Sequence, residues 1–135
     1  MIFALDTNII SAMLKGESDV IACYHQELKN GNEFIIPPIV YYEIERGLLA
    51  RSLFNKKRLF DEFCQDVQVG EFDFGVWTKA AQIYADLSKR GKPLGSGADA
   101  DYFIAAFCIV NDYTLVSRNV KHFENIAELK FVDWK

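Results

Sequence analysis

The chain is poor in the features that mark export, membrane insertion or thiolate metal binding. It holds three cysteines, Cys23, Cys64 and Cys108, spread widely along the sequence. They form no CxxC pair and no zinc-ligand spacing. An odd, scattered set without an export signal is expected to stay as reduced thiols in a cytoplasmic setting. No apolar run approaches the roughly 18 residues that a membrane-spanning helix needs. The opening stretch MIFALDTNII has no basic segment, and Asp6 breaks its apolar run, so it does not read as a secretory signal. There is no basic surplus either. The formal net charge is −4, which excludes a protein that coats itself in nucleic acid by bulk attraction. Internal repeats, low-complexity tracts and linkers are absent, and one domain is expected over residues 1–135.

What is present suits a well-filled core. Half of the residues are hydrophobic, and 11 Phe, 6 Tyr and 2 Trp supply bulk for an interior or an oligomer surface. Short apolar runs at Ile2–Leu5, Phe34–Ile36, Thr114–Val116 and Phe131–Val132 read as buried strands, with Gln68-Val69 as a minor one. Between them lie amphipathic stretches. A short helix is expected over 9–14, and a second runs from a cap at Ser18 or Asp19 to Lys29, stopping at Asn30-Gly31. Pro38 opens a third with Val40, Tyr41, Ile44 and Leu48 as its apolar stripe. A fourth spans 52–66, and a fifth runs from Phe74 to Ser88 with Trp77, Ala81, Tyr84 and Leu87 inward. The strongly apolar segment 99–111 is a central helix. Strands alternating with helices predict an α/β fold: a three-layer α/β/α sandwich around a short parallel sheet.

Acids stand at three costly places. Asp6 ends the first buried strand, and in an open α/β sheet the carboxyl ends of strands face the ligand crevice. It also reads as a cap for the next helix, with Asn8 as a competitor. Glu43 sits in the apolar stretch IVYYEIERG, where it reads either as a site residue or as a boundary carboxylate paired with a cation. Asp101 opens the most apolar helix of the chain, where the helix dipole favours an ionised carboxylate. Asp99 and Ser96 have the spacing of a capping box, which gives Asp99 a structural job. Such a set has a chemistry. Mg²⁺ binds oxygen ligands, one or two carboxylates with water and phosphate. Ions held in this way polarise a phosphodiester and orient an attacking water.

At these residues the chain resembles the PIN-domain family, and in particular the VapC-type ribonuclease toxins of bacterial VapBC toxin–antitoxin pairs. FALDTNIISAML is similar to the family's opening strand with its first acid, Asp6. VYYEIERG resembles the second motif and aligns Glu43 with the second acid. The stretch from GSGADADYFIAA to KFVDW resembles the C-terminal third, with Asp101 as the third acid. The resemblance implies a Mg²⁺-dependent endoribonuclease, with Mn²⁺ as an alternative ion. It implies RNA as substrate, a homodimer, and a cognate antitoxin protein that inserts a segment into the active-site groove. One position departs from the pattern. Many members carry a fourth acid where this chain has Asn119, which can accept a hydrogen bond or contact phosphate but brings no charge. Asp99 is the candidate to compensate as a metal ligand.

The resemblance also suggests that Asn8 orients Asp6, and that Phe123 packs inward. Thr7 reads as a helix-start residue, and Ser117 as a contact to metal or phosphate or as a turn hydroxyl. Arg118 and Lys121 are candidates for backbone phosphates, whereas His122 is not needed as a base. The basic residues Arg46, Arg51 and Lys56–Arg58 read either as solvated helix faces or as cations flanking an acidic cleft. Two alternatives to the toxin remain: a PIN-like RNA-processing or surveillance nuclease, and a catalytically inactive RNA- or protein-binding module.

Overall fold

The computed structural model describes all residues, 1–135. Five strands form one parallel sheet in the order β3-β2-β1-β4-β5: β1 (Ile2–Leu5), β2 (Glu33–Ile36), β3 (Gln68–Val69), β4 (Thr114–Ser117) and β5 (Phe131–Asp133). Seven helices connect and cover them: α1 (Thr7–Leu14), α2 (Ser18–Lys29), α3 (Pro38–Ala50), α4 (Phe54–Asp66), α5 (Phe74–Lys89), α6 (Asp99–Asn111) and the short α7 (Val120–Phe123). This is the α/β sandwich that the alternation of strands and helices predicts.

The topology fixes where a site can lie. From β1 the chain builds outward through β2 and β3, then returns to place β4 and β5 on the other side. β1 pairs in parallel with both β2 and β4, with Leu5 opposite Val116. The direction of winding reverses between β1 and β4. Loops leaving their carboxyl ends diverge there and open a crevice. Asp6 follows β1 and Ser117 closes β4, so both stand at that point.

The core is continuous. Phe3, Leu5, Ile36 and Leu115 from the sheet meet Ile9, Val40, Ile104 and Phe107 from the helices in one buried cluster. Gly70 is required where the chain leaves β3, because a Cβ there would lie 2.5 Å from the Phe107 ring. Trp134 is buried and meets Phe34 edge-on. Cys108 is buried deep in this cluster, and burial pushes its thiol far up. Cys64 is pushed up to about 11, also chiefly by burial. Both are poor nucleophiles.

Several local expectations differ from the structure. Helix α1 starts two residues earlier than the apolar pattern suggests, because Asp6 itself caps it by accepting from the Thr7 N–H. Helix α4 starts at Phe54 because Ser52 takes a left-handed conformation, φ 52°, in the turn before it. Neither Ser18 nor Asp19 caps α2. The cap position is Glu17, whose carboxylate instead takes two hydrogen bonds from the Arg118 guanidinium. The Ser96–Asp99 capping box does not form either. The cap residue of α6 is Ala98, with no side-chain bond.

The buried stripe of α5 is Val76, Ala80, Ile83 and Leu87, one residue out of phase with expectation except at Leu87. Slimmer side chains face the core, and the bulky Trp77 and Tyr84 flank it. They remain 53 % exposed, edge-on to Phe103 and Tyr102 of α6.

A candidate carboxylate-lined active site

Asp6 is held from both sides. Its Oδ1 accepts from the Thr7 backbone N–H at 2.8 Å, and its Oδ2 accepts from the Ser117 hydroxyl at 2.7 Å. The carboxylate is buried, with 6 % of its surface exposed. Burial raises its pKa most. The Ser117 and Thr7 hydrogen bonds pull against that rise, and the negative charges of Asp101 and Glu43 add to it. Acids on α3 and α6 thus both act electrostatically on Asp6 at the end of β1, although Asp6, Glu43 and Asp101 are 37 and 58 residues apart in turn along the chain.

Each of the other two acids has its own tether. Glu43 is on the third helix, one residue before the buried Ile44, and its Oε1 accepts from the Thr7 hydroxyl at 2.9 Å. Thr7 thus bridges two acids, its amide to Asp6 and its hydroxyl to Glu43. Asp101 stands in the first turn of α6, half-buried, with Oδ2 2.9 Å from His122 Nε2. His122 is carried there by α7, which the apolar pattern did not reveal.

The remaining sequence candidates sort themselves around this centre. Asn119 is exposed at the start of α7 and donates its backbone N–H to Ser117 Oγ at 3.0 Å. Asp99 is exposed and lines a groove with Trp77, Tyr84, Tyr102 and Phe103, and its charge is not among those acting on Asp6. Asn8 does not touch Asp6. Its amide donates to Ser117 Oγ at 3.3 Å, and its oxygen accepts the Arg118 N–H at 3.2 Å. Arg118 is occupied: its guanidinium pairs with Glu17, and its Nε reaches the Trp134 carbonyl at 3.3 Å. Lys121 is exposed and forms no ion pair.

Sequence reasoning missed the roles of Ser117, Thr7 and His122 as holders of the acids. A buried serine closing an apolar strand beside Asp6 was the available signal for the first of them.

As the side chains stand, no group of three or more His, Cys, Asp or Glu lies close enough together to hold a metal ion. Glu43 is turned to Thr7 and Asp101 to His122. The donor set is nonetheless made of hard oxygens at a point of mutual repulsion, and that suits a divalent cation such as Mg²⁺.

A parallel sheet with its crevice at β1 and β4, lined by acids from three separate elements, defines a PIN domain, and the PIN domain family model matches residues 3–129. The chain belongs to this family. Within it, the chain is similar to the protein named Ribonuclease VapC1 of Haemophilus influenzae, 28 % identical and covering 99 % of this chain and 98 % of that one. Two solved structures share the fold over nearly all of both chains. VapBC2 from Rickettsia felis, bound to a DNA fragment from the promoter, matches with a TM-score of 0.89 at 25 % identity and full coverage of both chains. VapBC-1 from nontypeable Haemophilus influenzae matches with a TM-score of 0.85 at 27 % identity, covering 99 % of this chain and 98 % of that one. No helix of the chain is long and apolar enough to cross a membrane.

Proposed function

We propose that this chain, as one nuclease domain over residues 1–135, is a Mg²⁺-dependent endoribonuclease and the toxin of a type II toxin–antitoxin pair. One observation supports the chemistry: the charges of Glu43 and Asp101 both act on the buried Asp6 at the sheet crevice. Like charges acting on a buried acid are relieved by protonation or by a cation, and a divalent cation is the relief proposed here. Asp6, Glu43 and Asp101 would hold Mg²⁺, or Mn²⁺ in its place, with Asn119 and Asp99 in support. When bound, such an ion offsets charge on the phosphodiester and lowers the cost of deprotonating water.

The chain's own residues do the positioning. Ser117 and Thr7 fix the two oxygens of Asp6, Thr7 fixes Glu43, and His122 restrains Asp101. Asp6 is thereby pre-set, whereas Glu43 and Asp101 would turn from their tethers to share an ion. Water attack leaves a 5′-phosphate and a 3′-hydroxyl.

The partners follow from the family. We propose that a cognate antitoxin inserts a segment into the active-site groove. A second copy of the chain is assigned to the aromatic face of α5 and α6. The setting is the cytoplasm, where three free cysteines remain reduced.

End-group mapping tests the chemistry. Purified protein, freed of any bound partner, is incubated with an RNA panel and Mg²⁺, and the products are mapped. Products with 5′-phosphate ends support water attack. Products ending in 2′,3′-cyclic phosphate would overturn it.

A further inference from the structure

A groove of about 150 Å³ leads away from the acidic centre between α1 and α3. Thr7 and Glu43 line one part of it, and Lys15, Arg51 and Lys56 line another. Two helices form its walls. Lys15 lies eight residues beyond Thr7 along α1, and Arg51 eight beyond Glu43 along α3. At 1.5 Å per residue each wall carries the groove about 12 Å from the acids to the cations. Gly47 lies between them, and a Cβ there would meet nothing within 4 Å, so the groove is open at that point.

None of these three cations is neutralised by a carboxylate of the chain, as is also true of Lys29, Arg46, Lys89, Lys92 and Lys121. In the run Lys56-Lys57-Arg58, Lys57 pairs with Glu45 and Asp61, and Arg58 pairs with Glu62. Lys56 pairs with no carboxylate, and neither do Lys15 and Arg51, although acids outnumber bases 19 to 15 in the chain. Lys15 and Arg51 occupy helix C-caps, where the dipole alone could account for a cation. Lys56 has no such account. It sits in the first turn of α4, where the dipole opposes a positive charge.

We propose that Lys15, Arg51 and Lys56 form a phosphate subsite that holds the RNA backbone away from the scissile bond. This rests on the ribonuclease reading above and adds to it the path of the strand. RNA runs from the acids at Glu43 along the α1–α3 groove toward α4. Three exposed or half-exposed cations grip phosphates without reading bases, so the subsite contributes affinity and register rather than sequence choice.

The test is the salt dependence of RNA binding, measured by fluorescence anisotropy on a fluorescein-labelled single-stranded oligoribonucleotide of mixed sequence. EDTA is present, so the readout is independent of cleavage. Each phosphate contact to a single strand contributes about 0.7 to the slope of log K against log salt. The triple variant Lys15→Gln, Arg51→Gln, Lys56→Gln is expected to lose about 2 from that slope. A control of equal net charge, Lys29→Gln, Lys89→Gln, Lys92→Gln, is expected to keep it. Lys56→Arg should keep it as well. If wild type binds RNA and the two triple variants behave alike, the subsite is wrong and the ribonuclease reading stands. That outcome would turn the groove over to an acidic protein segment. If wild type does not bind RNA at all, the subsite is wrong, and the ribonuclease reading is decided separately by Mg²⁺-dependent cleavage.

Discussion

The Ser117 hydroxyl donates its single proton to Asp6 across 2.7 Å and has nowhere else to send it. A hydroxyl has one proton and two lone pairs. Both lone pairs are engaged, one by the Asn8 amide at 3.3 Å and the other by the Asn119 N–H at 3.0 Å. Ser117 is therefore a fixed donor, aimed at Asp6 by residues from α1 and from the loop after β4. Because Ser117 is 0 % exposed, water cannot substitute for it.

Removing that hydroxyl should be costly. Ser117→Ala takes a hydrogen bond from a charged group and leaves the Asn8 and Asn119 donors without their acceptor. A loss of about 1.5–3 kcal/mol is expected, visible as a lower midpoint in urea unfolding. RNA cleavage should fall as well, since Asp6 loses the restraint on one oxygen. An unchanged midpoint would show that Asp6 is held by other means.

The raised pKa of Asp6 has a stability consequence of definite sign. Burial, with the charges of Asp101 and Glu43 added, lifts its folded value above that of the unfolded chain. Such a group stabilises the fold when protonated. That contribution is complete below the unfolded value and is lost as pH rises through the folded one. At neutral pH the ionised acid is a net burden on the metal-free protein. Asp6→Asn should therefore abolish cleavage and flatten the pH dependence of the metal-free melting temperature, while its amide, which cannot accept from both the Thr7 N–H and the Ser117 hydroxyl, keeps the melting temperature at pH 7 from rising. Calorimetry from pH 7 downward in EDTA checks this, and a variant that keeps the wild-type pH dependence would contradict it.

Binding of Mg²⁺ should reverse the burden. An ion that binds only the folded state adds about 2.7 kcal/mol at a hundred times its dissociation constant. Wild type should melt higher as Mg²⁺ is titrated, and Asp6→Asn should not respond. Equal responses in both would place the ion elsewhere.

His122 tests the difference between a restraint and a base. Its Nε2 is 2.9 Å from Asp101, and this orients the acid without requiring proton transfer. His122→Ala should reduce kcat less than tenfold. Loss of a general base typically costs about 10²–10⁴. A fall of that size would promote His122 to a catalytic residue.

The aromatic face of α5 predicts an assembly. Phe74 is 83 % exposed, and Trp77 and Tyr84 are exposed beside it. Trp77→Glu with Tyr84→Glu should convert a dimer into a monomer by light scattering while leaving the fold intact by circular dichroism.

The strands were legible because each obeys a local rule, and Asp6 and Asp101 stand where local rules favour an acid, whereas Glu43 was singled out from a boundary carboxylate only by the family resemblance. Ile2–Leu5 is a short apolar run, and Asp6 stands where such a run must end. Asp101 opens an apolar helix, a place that favours a carboxylate. What was not legible depends on contacts between distant segments. Ser117 and Asp6 are 111 residues apart and meet only because β4 lies beside β1. Thr7 looked like a helix-start residue, and nothing local shows its hydroxyl reaching Glu43 on α3. The phase of α5 was misread for a related reason. Trp77 and Tyr84 are the bulkiest members of their stripe, but the buried positions take Val76, Ala80 and Ile83, and the two large rings lie at the edge against Phe103 and Tyr102.

The most direct test of the central claim is RNA cleavage across a Mg²⁺ titration by wild type, Asp6→Asn, Glu43→Gln and Asp101→Asn side by side. The three carboxylates are read as one metal-dependent site. Cleavage by wild type that requires Mg²⁺ and is lost in each folded variant is the predicted result. Cleavage that persists at the wild-type rate in the variants, or that proceeds undiminished in EDTA, would contradict it.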